Sequence, residues 1–378
     1  MIRGFVSATY AARRARGGCT RATDTTGEAR SGPGWLANRA GPGGAALGAV
    51  PSLRAMGRMR AWLRGLWRDP ISPAAYRRIT LFALVAVAAI VVSGAAVRLT
   101  DSGMGCPTWP SCEDGSLVPR GETGANGWIE FVNRTFTGAV SVAVALAVLG
   151  SRRRDPPRAD LTRWSWGLVA GVFAQALLGG LVVVLHVAPL AVAGHYLLSA
   201  VLVANAVILH HKAGEPDQRR RARATPDLLA RSRAMVVAAA VVLVTGTFVT
   251  GSGPHGGDEA ADRLPFAVVT VARIHSGAVW LLLGVSLLVL WRAARGDAAP
   301  EVIGRGRVLA GTIVAQGTLG YVQYAAGVPE LLVLAHVLGS VLVWVAVLRF
   351  HLGLTQPIPD PAPGGPAPVP AVGTPVAG

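Results

Sequence analysis

The chain has 378 residues, 52% of them hydrophobic and only 15% charged, with a net charge of +16. Soluble domains carry roughly 25% charged residues, so the deficit excludes an ordinary soluble enzyme and points to a membrane protein. The basic residues gather in alternate loops, with no aromatic-interleaved basic face and no nucleic-acid motif, which excludes nucleic acid as a partner.

Residues 1–70 are rich in Arg, Gly, Ala and Ser and hold no apolar run. Two readings stay open: a disordered arm, or a mis-assigned extension upstream of a start at Met56 or Met59. No apolar h-region follows the basic residues of 1–30, so no signal peptide is read there. Apolar runs long enough to cross a ~30 Å hydrocarbon core as helix then follow in order. The first covers about Ile79 to Val97, and the second about Trp128 to Gly150. The third covers about Trp164 to Leu185, and the fourth Pro189 to Leu209. After a basic linker come Ala234 to Thr250, Phe266 to Leu290, Val308 to Ala325 and Leu331 to Leu348. The expected fold is therefore an all-α membrane protein of eight transmembrane helices, arranged as two parallel-repeat four-helix bundles. Its divisions are a first half at 71–211, a cytoplasmic basic linker at 212–233, a second half at 234–351 and a Pro/Gly/Ala-rich disordered tail at 352–378. The segments before the first span and at 151–163, 211–233 and 292–307 are Arg-rich, whereas 99–127 and 252–265 are acidic or neutral. Both termini are accordingly expected in the cytoplasm of a multi-pass cell-membrane protein, with Cys106 and Cys112 on the oxidising side.

The two halves resemble one another. The stretch 174-AQALLGG-180 matches 315-AQGTLGY-321, and His195 and His336 follow 141 residues apart, as do Ser199 and Ser340. Upstream, 131-FVNRTFTGAV-140 resembles 270-TVARIHSGAV-279, and 100-TDSG-103 echoes 250-TGSG-253. Four helices per repeat preserve direction, so the expected axis lies along the membrane normal.

Polar groups inside spans are costly and mark function. Glu130, Asn133, Arg134, His195, Arg273, His275 and His336 all fall in the outer half of the expected topology, within about 15 Å of the surface at ~1.5 Å per residue. Two neutral imidazoles on neighbouring helices, such as His275 and His336, can ligate haem iron axially; alternatively each hydrogen-bonds across a helix interface. Zinc is disfavoured because no Cys or carboxylate nearby completes four ligands. His186, His210, His211 and His255 read as interfacial. Gly179, Gly180 and Gly320, one helix before the histidines, permit close approach of a helix or a porphyrin face. Arg134 and Arg273 suit haem propionates or snorkel to the interface. Glu130 and Asn133, three apart, share a helix face, and the carboxylate is either a proton-handling group or a favourable charge at a helix N-terminus. Cys106 and Cys112 form a structural disulfide in the plainer reading and a redox-active pair in the sharper one.

Together, 97-VRLTDSGMGCPTWPSC-112, 129-IEFVNRTFTG-138, the two AQ…LG helices and the three helix histidines resemble the haem A synthase family over about residues 75–350. The resemblance implies an oxidoreductase that converts haem O to haem A by successive hydroxylation of one porphyrin methyl group, whose diol collapses to a formyl group. It implies haem b held by His275 and His336, haem O received in the first half with His195 as iron ligand, and Glu130 as the essential carboxylate. It also makes Cys106 and Cys112 the family's extracellular disulfide. Implied partners are haem O, haem A and the lipid bilayer. Haem O synthase, cytochrome oxidase assembly factors, an unidentified electron acceptor and a second copy of the chain are further candidates. Many members carry His-Arg where this chain has Asn133-Arg134, and since asparagine is a poor iron ligand the substrate haem is expected to be five-coordinate on His195. The alternative is a bis-His electron-transfer cytochrome without hydroxylase activity. A transporter lacks broken spans, and a prenyltransferase lacks Asp-rich magnesium motifs.

Overall fold

The computed structural model describes residues 69–113, 115–120, 124–215, 220–222, 224–296 and 300–357. The expected extension at 1–70 lies outside them apart from its last two residues, and so does the tail from 358. Eight helices follow in order. They are α1 (Pro73–Leu99), α2 (Gly124–Arg153), α3 (Ala159–Val184), α4 (Pro189–Ala213), α5 (Pro226–Ser252), α6 (Val268–Arg295), α7 (Pro300–Ala325) and α8 (Glu330–Leu352).

Their starts are written in local chemistry. Ser72 caps α1 by accepting from Ala75 N at 3.2 Å, and Thr225 caps α5 by accepting from Leu228 N at 3.3 Å. Each cap is followed by a proline, which loses no helical bond in the first turn. The last turns of α2, α6 and α8 carry Arg152, Arg153, Arg292, Arg295 and Arg349, favourable at the negative end of a helix.

Seven of the eight helices are long and apolar enough to cross a membrane. The exception is α7, the expected seventh span, in which Gln316, Gln323, Tyr321, Tyr324 and several glycines dilute the apolar run. It nevertheless has 26 residues and packs between α6 and α8. Large apolar side chains such as Phe82, Val85, Phe173, Leu177 and Leu281 are exposed, a surface that suits lipid rather than water. Tyr76, Leu161, Leu168, Met235, Leu282, Leu309 and Phe350 form the fully buried centre.

Helix α1 packs on α2 and α4, and α3 fills in between α2 and α4. In the same way α5 packs on α6 and α8, with α7 between α6 and α8. Helix α8 also packs on α4 and α1, and α4 on α5. Tyr196 OH lies 2.8 Å from Ser340 Oγ, and Trp344 Nε1 donates to Ala200 O at 2.9 Å, which ties α4 to α8 inside the bundle.

The linker and tail differ from expectation. A short antiparallel pair joins β1 (Arg220–Ala222) to β2 (Thr355–Pro357), and Leu354 is buried. Residues 352–357 are therefore structured; their composition concealed one apolar anchor, Leu354, and an extended partner supplied by the linker. The expected linker at 212–233 also shrinks, because α4 runs to Ala213 and α5 begins at Pro226.

Candidate functional site

His195, His275 and His336 pack in one way. A Cβ on Gly179 of α3 would lie 3.3 Å from His195 Cε1 on α4. A Cβ on Gly246 of α5 would lie 3.3 Å from His275 Cε1 on α6, and one on Gly320 of α7 would lie 3.1 Å from His336 Cε1 on α8. Each imidazole edge thus rests on a backbone that a larger residue would push away. Backbone carbonyls on the histidine helices are held as well: Gln175 Nε2 donates to His195 O at 3.1 Å and Gln316 Nε2 to His336 O at 2.8 Å.

His275 and His336 come together, with ring centroids 6.5 Å apart and planes at 71°. Thr245 Oγ1 lies 3.1 Å from His275 Nδ1. The same hydroxyl has backbone acceptors at Val241 O and Val242 O for its single proton. It therefore accepts from Nδ1–H, which leaves the Nε2 lone pair free to bind a metal. The Nδ1 atoms of His195 and His336 are buried and bond to no protein group. Unpaired buried nitrogens of this kind are uncommon unless a ligand enters the account.

These residues fit a haem. An iron–nitrogen bond of about 2.0 Å plus about 1.1 Å from nitrogen to ring centre, doubled, would place the centres of two imidazoles on one iron about 6.2 Å apart. The observed separation of 6.5 Å matches that requirement.

Asn133 occupies the corresponding place in the first half. Ser93 Oγ of α1 donates to Asn133 Oδ1 of α2 at 2.7 Å, just as Thr245 of α5 pairs with His275 of α6. Gly94 stands beside Ser93 as Gly246 stands beside Thr245, and a Cβ on Gly94 would meet nothing within 4 Å. This pairing corrects the alignment of 131–140 with 270–279, which set His275 against Phe136. The GAV triplet misled because it marks small residues rather than a shared facing. A second recurring pair escaped the sequence reading: Thr80 Oγ1 lies 3.0 Å from His210 Nδ1, and Ser232 Oγ lies 2.8 Å from His351 Nδ1. His210 and His351 stand 141 residues apart, the interval already seen for His195 and His336, and could have been found by it.

Glu130 and Arg134 are brought together elsewhere, beneath the disulfide loop. Cys106 and Cys112 are bonded and buried. Glu130 Oε2 accepts from Cys106 N at 2.7 Å, and Glu130 Oε1 accepts from Arg134 Nη2 at 2.6 Å and Nε at 3.0 Å. Arg134 also donates to Thr108 O at 3.1 Å, Ser111 O at 2.9 Å and Cys106 O at 3.1 Å. Five donations exhaust the guanidinium. Arg134 is thus neither a snorkelling residue nor a free propionate ligand, but the clamp of the loop. The face shared by Glu130 and Asn133 divides in the fold: Glu130 turns with Arg134 to the loop, and Asn133 turns to α1. Arg273 is exposed on α6 and does not join this group. The four interfacial histidines also sort themselves, since His255 Nε2 lies 2.8 Å from Val328 O while His210 turns to Thr80.

Substituting Arg134 by alanine strands the Glu130 carboxylate in a buried place. A loss of about 3 kcal/mol in unfolding free energy is expected, measured by thermal or denaturant melting in detergent with the disulfide intact.

The seven candidate spans make this a multi-pass membrane protein, in which glycine-backed imidazoles approach one another on α6 and α8. Residues 77–255 match the model of the family described as cytochrome oxidase assembly protein. The chain is 30% identical over 138 residues to a heme A synthase of Lysinibacillus sphaericus, covering 36% of this chain and 44% of that protein. It is 26% identical over 166 residues to a heme A synthase of Exiguobacterium sibiricum (43% and 55%), and 31% identical over 140 residues to one of Shouchella clausii (37% and 46%). The chain thus spans about half the length of these curated relatives. Residues 77–255 thus match that family model, and the matched relatives are heme A synthases, in line with the sequence motifs.

Proposed function

We propose that the protein is a haem A synthase of the cell membrane. In this reading His275 and His336 hold haem b in the second half. Haem O is received beside His195 in the first half, where one porphyrin methyl group is oxidised by successive hydroxylation to a formyl group. The observation that carries the reading is the 6.5 Å separation of His275 and His336, in a chain that is 30% identical over 138 residues to a heme A synthase.

Bound haem supplies the redox-active iron. The chain's residues do the positioning. Thr245 fixes the His275 tautomer, Gln175 and Gln316 hold the backbone at the other two histidines, and glycines bring the neighbouring helices close. Glu130 is the carboxylate on which activity depends; its bonds to Arg134 and Cys106 make the disulfide loop the element through which it acts. Asn133 leaves the first-half haem five-coordinate on His195.

The halves 71–211 and 234–351 are parallel repeats in this reading, related by an axis along the membrane normal. The recurring Ser93–Asn133 and Thr245–His275 pairs support this, as do the matching helix neighbours within each half. Both termini face the cytoplasm by loop charge, which puts Cys106–Cys112 on the oxidising side. Haem O synthase, oxidase assembly factors, an electron acceptor and a second copy of the chain are the partners such an enzyme meets.

One observation favours the second reading, a bis-His electron-transfer cytochrome: the Glu130 carboxylate already has a structural task in the clamp. Purified protein supplied with haem O and either oxygen with reductant or an artificial electron acceptor decides between them by chromatography of extracted haems. Hydroxylated and formyl products are expected; haem O recovered unchanged from a protein that retains its haem b would establish the carrier.

A further inference from the structure

The two halves differ at one pair of positions beside the candidate haem sites. Gly180 and Tyr321 stand 141 residues apart, the interval of His195 and His336, and each follows the glycine that backs its histidine. In the second half Tyr321 fills the place with its own side chain, whose hydroxyl lies 2.7 Å from Ser276 Oγ and accepts from Trp280 Nε1 at 3.0 Å. In the first half the place is left bare and is filled from outside. A Cβ on Gly180 would come within 2.7 Å of Trp109 Cδ2 and 2.9 Å of Cε2, so the indole lies directly on the α3 backbone.

Trp109 is carried by the disulfide loop. The carbonyls that Arg134 grips flank it, at Cys106 and Thr108 before and Ser111 after. The base of the loop is therefore fixed by three Arg134 donations, the Cys106 N–H bond to Glu130 and a disulfide, while the indole rests on Gly180 by packing and is 44% exposed. A tryptophan presents a large apolar body with one polar tip, which suits the membrane interface. Tyr321, though hydrogen-bonded to α6, is itself 54% exposed, whereas the first-half position is covered by a side chain from another segment, the disulfide loop.

We propose that Trp109 gates the first-half porphyrin site: packed on Gly180, it retains an iron porphyrin bearing an isoprenoid tail beside His195, and it leaves Gly180 when that ligand enters or departs. This rests on the haem-binding reading above and adds to it the residue that makes one site exchangeable.

The test is haem release from the full-length protein in detergent, loaded with haem and mixed with excess apomyoglobin. Trp109→Ala is expected to speed release from the first half about tenfold, and Trp109→Phe to leave it near wild type. Gly180→Ala, whose methyl group displaces the indole, is expected to speed release on its own and to add nothing to Trp109→Ala. The b-type spectrum of the second half should be unchanged throughout. Equal release rates in wild type and Trp109→Ala, with porphyrin bound, would overturn the gate alone. So would an equal acceleration of both haems, which marks general loosening of the fold. A wild-type protein with no porphyrin ligated by His195 would overturn the gate together with the reading beneath it.

Discussion

His336→Ala and His275→Ala are each expected to abolish the reduced low-spin b-type spectrum of the second half, with the haem of the first half retained. The imidazoles face one another at 6.5 Å, so removing either leaves a single axial ligand. A milder variant separates ligation from packing. Thr245→Val keeps both histidines but removes the hydroxyl that orders the His275 tautomer at 3.1 Å, and a 10- to 100-fold weaker haem affinity is expected, roughly the effect of losing an outer-shell partner. Haem titration with the pyridine haemochrome assay reads both effects. A full low-spin complement in either alanine variant would eliminate the bis-histidine site.

The second large effect is a gain. Asn133 sits where the other half has His275, with Ser93 as its partner and no atom within 4 Å of a Cβ on neighbouring Gly94. Asn133→His places an imidazole in a position that already has a hydroxyl to order it. The first-half haem is expected to change from five-coordinate high-spin to six-coordinate low-spin. This is read by electron paramagnetic resonance in a His336→Ala background, where the second-half signal is absent. An unchanged high-spin signal would show that Asn133 does not face the iron and that its correspondence with His275 stops at the shared hydroxyl partner.

Legibility of this protein divides along physical lines. Hydropathy placed every helix, because a backbone in lipid must satisfy its own hydrogen bonds and so needs an unbroken apolar run. The weakest run, α7, is the one that carries Gln316, whose amide holds the His336 carbonyl, and Tyr321, whose hydroxyl meets Ser276 and Trp280 of α6. The interval between His195 and His336 was visible because sequence distance survives duplication wherever no insertion intervenes. Where loop lengths differ, as between α1 and α5, the interval shifts and the Ser93–Asn133 counterpart of Thr245–His275 became plain only from the contacts.

The remaining site features were hidden for one reason. Glu130, Asn133 and Arg134 fall within about one turn near the start of α2, so their spacing alone does not say which neighbour each one meets once the helix is rotated into place. That rotation sends Arg134 into the disulfide loop and Asn133 towards α1. Sequence alone settled the membrane class, the helices, the histidines and the paired cysteines, since each depends on composition and spacing along one chain. Packing settled the partners of Glu130 and Arg134, the meeting of His275 with His336 and the seat of Trp109 on Gly180, since each joins residues that only helix crossing and loop closure bring within reach.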